Sequence, residues 1–213
     1  MKSIYAGVSA VSVVCFVLLT WAVHRPWMQT WDTDTANQIR NAGSSSVQHG
    51  MKAVSSLGDS AFFLIALLIL CAVLVMGLRR WKEALLVFGA FAVSYALNTL
   101  LKAWIGRERP SVEQLVTADG YSMPSGNAML SMVLYGLAIY FVRKYVRNEV
   151  TKKAATAFFT LLILLIGSSR IYLGVHYPSD IIAGYLAGLV MVCAAAGIDH
   201  KLHPQQAVWR EMA

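Results

Sequence analysis

His176 and Asp180 stand four residues apart in the stretch SRIYLGVHYPSD, Ser169 to Asp180, with Pro178 between them. Proline is favoured in the first turn of a helix, so the carboxylate falls about one turn from the imidazole and can reach back to it. An Asp bonded to one ring nitrogen fixes the tautomer and leaves the other nitrogen as a nucleophile. Phosphoryl transfer to His176 is the chemistry this pair suggests, because the neighbouring clusters suit an anion. KAWIGRERP, Lys102 to Pro110, supplies Lys102 and Arg109, and Arg170 adds a third cation; the guanidinium fork matches phosphate oxygens. In PSGN, Pro124 to Asn127, the Pro-Ser-Gly step precedes a helix whose free N–H groups and positive dipole end favour an anion. Ser125 either caps that helix or binds an oxygen of the ligand.

Taken singly, each residue has an ordinary explanation. Lys102, Arg107 and Arg109 serve as headgroup anchors, Ser125 as a helix cap, His176 as a satisfied interfacial ring and Asp180 as a first-turn dipole partner. Their joint arrangement argues for a site, and that arrangement depends on the elements that carry them.

The 213 residues are 57% hydrophobic and only 14% charged, and the mean hydropathy is +0.57, too apolar for an ordinary soluble domain. A membrane-spanning helix takes about 20 predominantly apolar residues. Six runs approach that length: Ile4 to Val23, Ala61 to Leu78, Ala84 to Leu101, Ala128 to Phe141, Ala155 to Gly167 and Ile181 to Gly197. The fourth and fifth are short, and polar ends at Ser125 to Asn127 and Ser168-Ser169 extend them. The expected fold is an all-α integral membrane bundle of six transmembrane helices, one domain over residues 1–213, since neither a linker nor an internal repeat divides the chain. The first run lacks a cleavage site and is read as a retained span. Gly184 and Gly188 form a Gly-x-x-x-Gly step that packs within the bundle, and Asn98, the notable mid-span amide, is assigned an interhelical hydrogen bond.

Cys15, Cys71 and Cys193 fall in three different runs and behave as small hydrophobes; their spacing fits neither a disulfide nor a metal site. The net charge is +7, but the basic residues sit at span ends, so anionic lipid headgroups and not nucleic acid are the expected partner.

Positively charged loops tend to stay cytoplasmic. With the N-terminus inside, eleven Lys and Arg residues fall on the inner side, among them Lys2, Arg79, Arg80, Lys144 and Arg210, against seven on the outer side. Two crossings separate PSGN from SRIYLGVHYPSD, so all three clusters meet at the outer face, where charged groups at the bilayer margin are usually kept for a site. The expected location is the cytoplasmic membrane, multi-pass, with an outward-facing pocket. The outer loop His24 to Asp59 carries Trp27 and Trp31 beside Trp21 as interfacial anchors. Within it Val47, Met51 and Val54, at i, i+4 and i+7, fit a short amphipathic helix, with a solvated Ser-rich connector as the alternative. A transporter or channel would carry charges within spans or helices broken in the middle; here the polar groups gather at one face.

The pattern Lys-x6-Arg-Pro, then Pro-Ser-Gly, then Ser-Arg-x5-His-x3-Asp resembles the three-part signature of the type 2 phosphatidic acid phosphatase superfamily of membrane lipid phosphatases. Lys102, Arg109 and Pro110 match the first part, Pro124, Ser125 and Gly126 the second, and Ser169, Arg170, His176 and Asp180 the third. The resemblance implies a phosphatase that needs no metal or other cofactor. By the same resemblance His176 attacks phosphorus, Asp180 orients it, and Lys102, Arg109, Ser125, Gly126, Ser169 and Arg170 hold the phosphoryl oxygens before water hydrolyses the phosphohistidine. The implied partners are a lipid phosphate or diphosphate and the bilayer.

The family's second part ends in His, which protonates the leaving oxygen; this chain has Asn127. Asn donates a hydrogen bond but gives up no proton, so general-acid help of about 10²–10⁴-fold is expected to be missing. A phosphatidate or phosphatidylglycerophosphate leaves as an alkoxide and needs that proton, whereas a polyprenyl diphosphate releases a lipid monophosphate, already a good leaving group. Three readings follow: a phosphatase suited to diphosphates or using another acid such as water, a pseudoenzyme that binds lipid phosphates, or an engineered change at position 127. His24, His49, His200 and His203 are poor substitutes by position. The expectation is an isoprenyl diphosphate such as undecaprenyl diphosphate as substrate, with phosphatidylglycerophosphate or phosphatidate as the alternative, and an activity reduced by Asn127.

Overall fold

The computed structural model describes residues 2–41 and 43–203. Eight helices follow one another: α1 Lys2–Ala22, α2 Pro26–Asn41, α3 Ser45–Ser56, α4 Ser60–Ala72, α5 Trp81–Ile105, α6 Gly126–Tyr145, α7 Glu149–Tyr172 and α8 Pro178–Leu202. Helix α4 runs on through a π-helical turn at Val73–Gly77. Six of these helices among the described residues are long and apolar enough to cross a membrane, and each covers all or nearly all of one of the six apolar runs. The two short runs are extended where their polar flanks predict it, before the fourth and after the fifth, and each is also extended at its other end. Arg210, counted on the inner side, lies outside the described residues.

Helix starts and stops follow local chemistry. Ser125 caps α6 by accepting from the Ala128 N–H at 3.5 Å, and Asn148 caps α7 by accepting from the Thr151 N–H at 3.0 Å. Pro178 opens α8, and the Asp180 carboxylate reaches back to accept from the Tyr177 N–H at 2.8 Å. Gly106 ends α5 in the left-handed region at φ 65°, where a side chain would be strained.

Helix α6 is the most buried span and packs against α5, α7 and α8. Its approach to α8 needs the two glycines: a Cβ at Gly184 would meet the Ser125 carbonyl at 2.7 Å, and one at Gly188 the Met129 carbonyl at 2.8 Å. The Gly-x-x-x-Gly step thus packs inside the bundle, as read from the sequence. The core between α4, α5, α6 and α7 is built from Phe63, Leu67, Val87, Val133, Leu134, Leu137 and Ile166.

The long connector before α4 holds two helices. Helix α3 carries Val47, Met51 and Val54 and realises the amphipathic alternative. Helix α2 had no sequence signal; its buried positions are Met28, Asp32 and Ala36. The polar clusters also differ from the expected loops. Lys102 lies in the last turn of α5 and Arg170 in the last turn of α7, so two of the three cations stand on rigid helix ends. At the opposite end of the bundle Lys144 bonds Asp199 at 2.6 and 2.8 Å, Tyr140 bonds Asp199 at 2.6 Å and Tyr145 bonds Glu83 at 2.6 Å. Charged groups in the spans are therefore present, though they pair with one another.

Candidate active site

His176 sits in the short turn between α7 and α8 and is only 2% exposed. Its Nδ1 lies 3.5 Å from Asp180 Oδ2 and 3.4 Å from Ser122 Oγ. Both separations are longer than a well-formed hydrogen bond. The Ser122 hydroxyl in turn donates to Asp180 Oδ2, so Nδ1–H can reach the carboxylate directly or through Ser122. On the other side of the ring, Nε2 lies 3.4 Å from Arg109 Nη1. These partners assign the proton to Nδ1 and the lone pair to Nε2. Burial pushes the His176 pKa down to about 4, against the raising effect of Asp180, and the nearby charges of Lys102 and Arg109 push it the same way as burial. The imidazole is neutral at pH 7.

The four cations near this ring fall into two kinds. Arg109 donates to the carbonyls of Gly120, Val175 and Asp119 at 3.0, 2.7 and 2.8 Å. Lys102 donates to the carbonyls of Tyr121 and Ser122 at 2.5 and 3.4 Å. Arg170, 7% exposed, donates from Nη1 to Ser55 Oγ at 2.6 Å, and its buried Nε has no acceptor. All three are held in place by hydrogen bonds to neutral oxygens, and among the described residues none of them forms an ion pair with a carboxylate.

Arg107 is different. Its Nη1 donates to Asp180 Oδ1 at 2.6 Å and Ser179 Oγ at 2.7 Å, and its Nη2 donates to Asp32 Oδ2 at 2.7 Å. Asp32 is fully buried and also accepts from the Ser179 N–H at 2.9 Å and the Ser179 hydroxyl at 2.5 Å. Burial lowers the Arg107 pKa, but the Asp180 and Asp32 carboxylates more than offset this and hold it above its ordinary value. The arrangement ties α2 to the start of α8 and spends both arms of the guanidinium on carboxylates.

The second cluster is threaded between helices. Asn98 Nδ2 donates to the Pro124 carbonyl at 3.2 Å and to Met129 Sδ on α6 at 3.6 Å, so this amide supports the PSGN turn and also makes the interhelical bond read for it. The Ser125 N–H donates to the Asp180 carbonyl at 3.0 Å, joining the starts of α6 and α8. Ser125 is buried as the cap of α6, and Ser169 is buried with its hydroxyl on the Ile166 carbonyl at 2.7 Å. Gly126 opens α6 beside them.

Asn127 Nδ2 donates to the Gly58 carbonyl at 2.7 Å, in the elbow between α3 and α4. A Cβ at Gly58 would come within 2.6 Å of that nitrogen, so the approach requires glycine. Asn127 and Arg170 together line an open polar cavity of about 440 Å³ with Lys52, Ser55, Asp59 and Thr117. His49 faces elsewhere, with Nδ1 on the Ser45 carbonyl at 2.8 Å. The residues of the three clusters do meet at one end of the bundle, and they are joined there by Asp32, Ser122, Ser55 and Gly58, none of which has a local signal in the sequence. Metal-ligand types cluster elsewhere: among the described residues, Glu83, Asp199 and His203 bring ligand atoms within 4.8 Å of one another at the opposite end, where the Lys144 ammonium already sits.

Comparison with known proteins bears on the same residues. The model of the PAP2 superfamily matches residues 83–203. Phosphatidylglycerophosphatase B of Bacillus subtilis (strain 168) is 31% identical over 191 residues, 88% of this chain and 92% of that protein. Lipid A 4'-phosphatase of Bacteroides thetaiotaomicron is 31% identical over 125 residues, 51% of this chain and 52% of that protein. Among solved structures, the transmembrane PAP2-type phosphatidylglycerolphosphate phosphatase of Bacillus subtilis superposes with a TM-score of 0.86 at 29% identity, covering 91% of this chain and 96% of that one.

Proposed function

The chain belongs to the PAP2 superfamily, and on that premise we propose that it is a membrane phosphatase that moves the terminal phosphoryl group of a lipid phosphate onto His176 and then onto water. One observation carries this reading: a buried, neutral imidazole lies beside Arg109 and Lys102, which donate to backbone carbonyls and, among the described residues, form no ion pair with a carboxylate. The Nε2 lone pair attacks phosphorus and forms the N–P bond as the bond to the lipid oxygen breaks. Arg109, Lys102 and Arg170 stabilise the charge gathering on the phosphoryl oxygens, an electrostatic role that needs donors fixed in advance. Asp180 and Ser122 hold Nδ1–H and steady the ring as it becomes cationic. A water then attacks phosphorus, the N–P bond breaks with its electrons returning to Nε2, and inorganic phosphate leaves. Each step uses groups of the chain itself, and the reaction is metal-independent.

Asn127 steers the choice of substrate. It can hold a leaving oxygen, or a water beside it, but supplies no proton of its own. Phosphatidylglycerophosphate is the substrate class favoured by likeness to the Bacillus phosphatase, with the proton coming from water. An isoprenyl diphosphate such as undecaprenyl diphosphate is the second reading, favoured by Asn127 itself, because its leaving phosphate needs no acid. The excess of Lys and Arg on one side supports a location in the cytoplasmic membrane with the site facing outward.

The test is phosphate release in detergent without added metal, comparing the native chain, His176→Ala and Asn127→His on phosphatidate, phosphatidylglycerophosphate and a short isoprenyl diphosphate. Turnover is lost in His176→Ala. Full turnover by that variant would remove the nucleophile, and silence of both the native and Asn127→His forms on every lipid would leave a lipid-phosphate binder.

A further inference from the structure

The polar cavity beside Asn127 is larger than one phosphoryl group requires, and its lining extends beyond the signature residues. Two of its walls, Asn127 and Arg170, belong to the second and third clusters; the others come from α3, the elbow before α4 and the loop before α6. Arg170 turns one nitrogen to Ser55 and leaves its buried Nε without an acceptor. Lys52 on α3 lines the same cavity and has no hydrogen-bond or ion-pair partner among the described residues. Asp59 is the one carboxylate in the lining; it acts on Arg170 through its charge, and among the described residues it neither caps α4 nor makes an ion pair. The charged side chains around the cavity therefore sum to one positive charge, set among the hydroxyls of Ser55 and Thr117 and the amide of Asn127.

That balance suits a singly charged phosphate link bearing polar substituents. We propose that the cavity is a subsite for a second phosphate of the substrate, joined to the transferred group through the leaving oxygen, and that Lys52 is the residue that selects lipids with two phosphates over lipids with one. The inference rests on the reading of His176 as the phosphoryl acceptor, because that places the terminal phosphoryl group at the ring and whatever adjoins it at Arg170 and Asn127. A phosphodiester, as in phosphatidylglycerophosphate, and the inner phosphate of an isoprenyl diphosphate each carry one negative charge, the first separated from the leaving oxygen by the glycerol and the second bonded to it. They differ in the glycerol hydroxyl, which only the former offers to Asp59. Phosphatidate has no second phosphate and leaves Lys52 without a ligand.

The experiment measures kcat/KM for phosphatidylglycerophosphate, farnesyl diphosphate and phosphatidate in the native chain, Lys52→Ala and Lys52→Glu, with Lys153→Ala as a control at the other end of the bundle. Loss of one charge-assisted contact lowers the preference for at least one two-phosphate lipid over phosphatidate by about tenfold in Lys52→Ala, further in Lys52→Glu, and less at high salt. Asp59→Asn separates the sources, since it affects phosphatidylglycerophosphate more than farnesyl diphosphate. A second measurement does not depend on turnover: binding of the same lipids to His176→Ala, with and without Lys52→Ala. If the native chain releases no phosphate but Lys52→Ala still weakens binding of the two-phosphate lipids selectively, the enzymatic reading fails and the subsite stands. If Lys52→Ala weakens all three lipids equally, or none, the subsite is wrong whatever the turnover.

Discussion

Replacing Arg107 by Leu tests whether this arginine is a strut or a phosphate ligand. The substitution removes two short ion-pair bonds, to Asp180 at 2.6 Å and to Asp32 at 2.7 Å, and leaves both carboxylates buried. Bonds to charged groups contribute about 1.5–3 kcal/mol each, and breaking a buried pair costs about 3–5 kcal/mol. The remaining partners lower this figure: Asp32 keeps both Ser179 donors, and Asp180 keeps Ser122 and the Tyr177 N–H. The loss is then about 3 kcal/mol, or roughly 6–12 °C in the unfolding midpoint for a chain of this size. Arg107→Lys keeps a charge but not the fork that spans two carboxylates, and should lose part of the same stability. The assay is thermal unfolding in detergent, run beside kcat and KM. Because Arg107 acts on His176 through Asp180, kcat should fall while KM changes little. A raised KM with an unchanged midpoint would refute the assignment and make Arg107 a substrate ligand.

Three other outcomes follow from the site. His176 has its pKa lowered from 6.5 to about 4 in the folded protein, so the unfolded chain binds the extra proton between these values and stability falls as pH drops through that window. The gap corresponds to about 3 kcal/mol; unfolding midpoints from pH 7 to pH 4 should show it in the native chain and lose it in His176→Gln, and the acid limb of turnover should lie well below pH 6.5. On the proposed reaction, Asn127→His supplies an acid beside the leaving oxygen and should raise kcat on phosphatidate by up to about 10²-fold with little gain on an isoprenyl diphosphate; equal gains on both would show that proton donation is not what position 127 controls. Gly58→Ala places a methyl group 2.6 Å from Asn127 Nδ2 and 3.0 Å from Ile166 Cγ2, overpacking that costs about 1–3 kcal/mol, and should lower activity more than it lowers the amount of folded protein recovered.

Parts of this architecture were legible because their signals are local. The six apolar runs mark the spans, the Ser125 cap opens α6, and the four-residue step from His176 to Asp180 needs only one turn of chain. Helix α2 was not legible, for a physical reason: its buried stripe is Met28, Asp32 and Ala36, so the centre of the face that should read as apolar is a carboxylate. Arg107 looked like a headgroup anchor because the sequence does not reveal that Asp32, in a connector 75 positions away, waits for it in the fold. Ser122 and Ser55 are ordinary loop and helix serines until tertiary packing sets them against Asp180 and Arg170.

What separates a structural cation from a binding one here is the charge of its ligands. Arg107 faces two carboxylates, so an incoming phosphate would have to displace a buried anion to reach it, at a cost that the phosphate's own charge only increases. Lys102, Arg109 and Arg170 face carbonyls and a hydroxyl, which fix direction without neutralising. On the proposed reaction, three positive charges that form no ion pair among the described residues repel one another, and that repulsion is relieved when a phosphoryl dianion enters between them. Asp180 accepts from the Ser122 hydroxyl, which lies 3.4 Å from His176 Nδ1. Placing a carboxylate where one of those neutral ligands now stands, as in Ser55→Asp beside Arg170, would convert a binding cation into a second strut. Such a variant should fold at least as well as the native chain and yet lose affinity for every lipid phosphate.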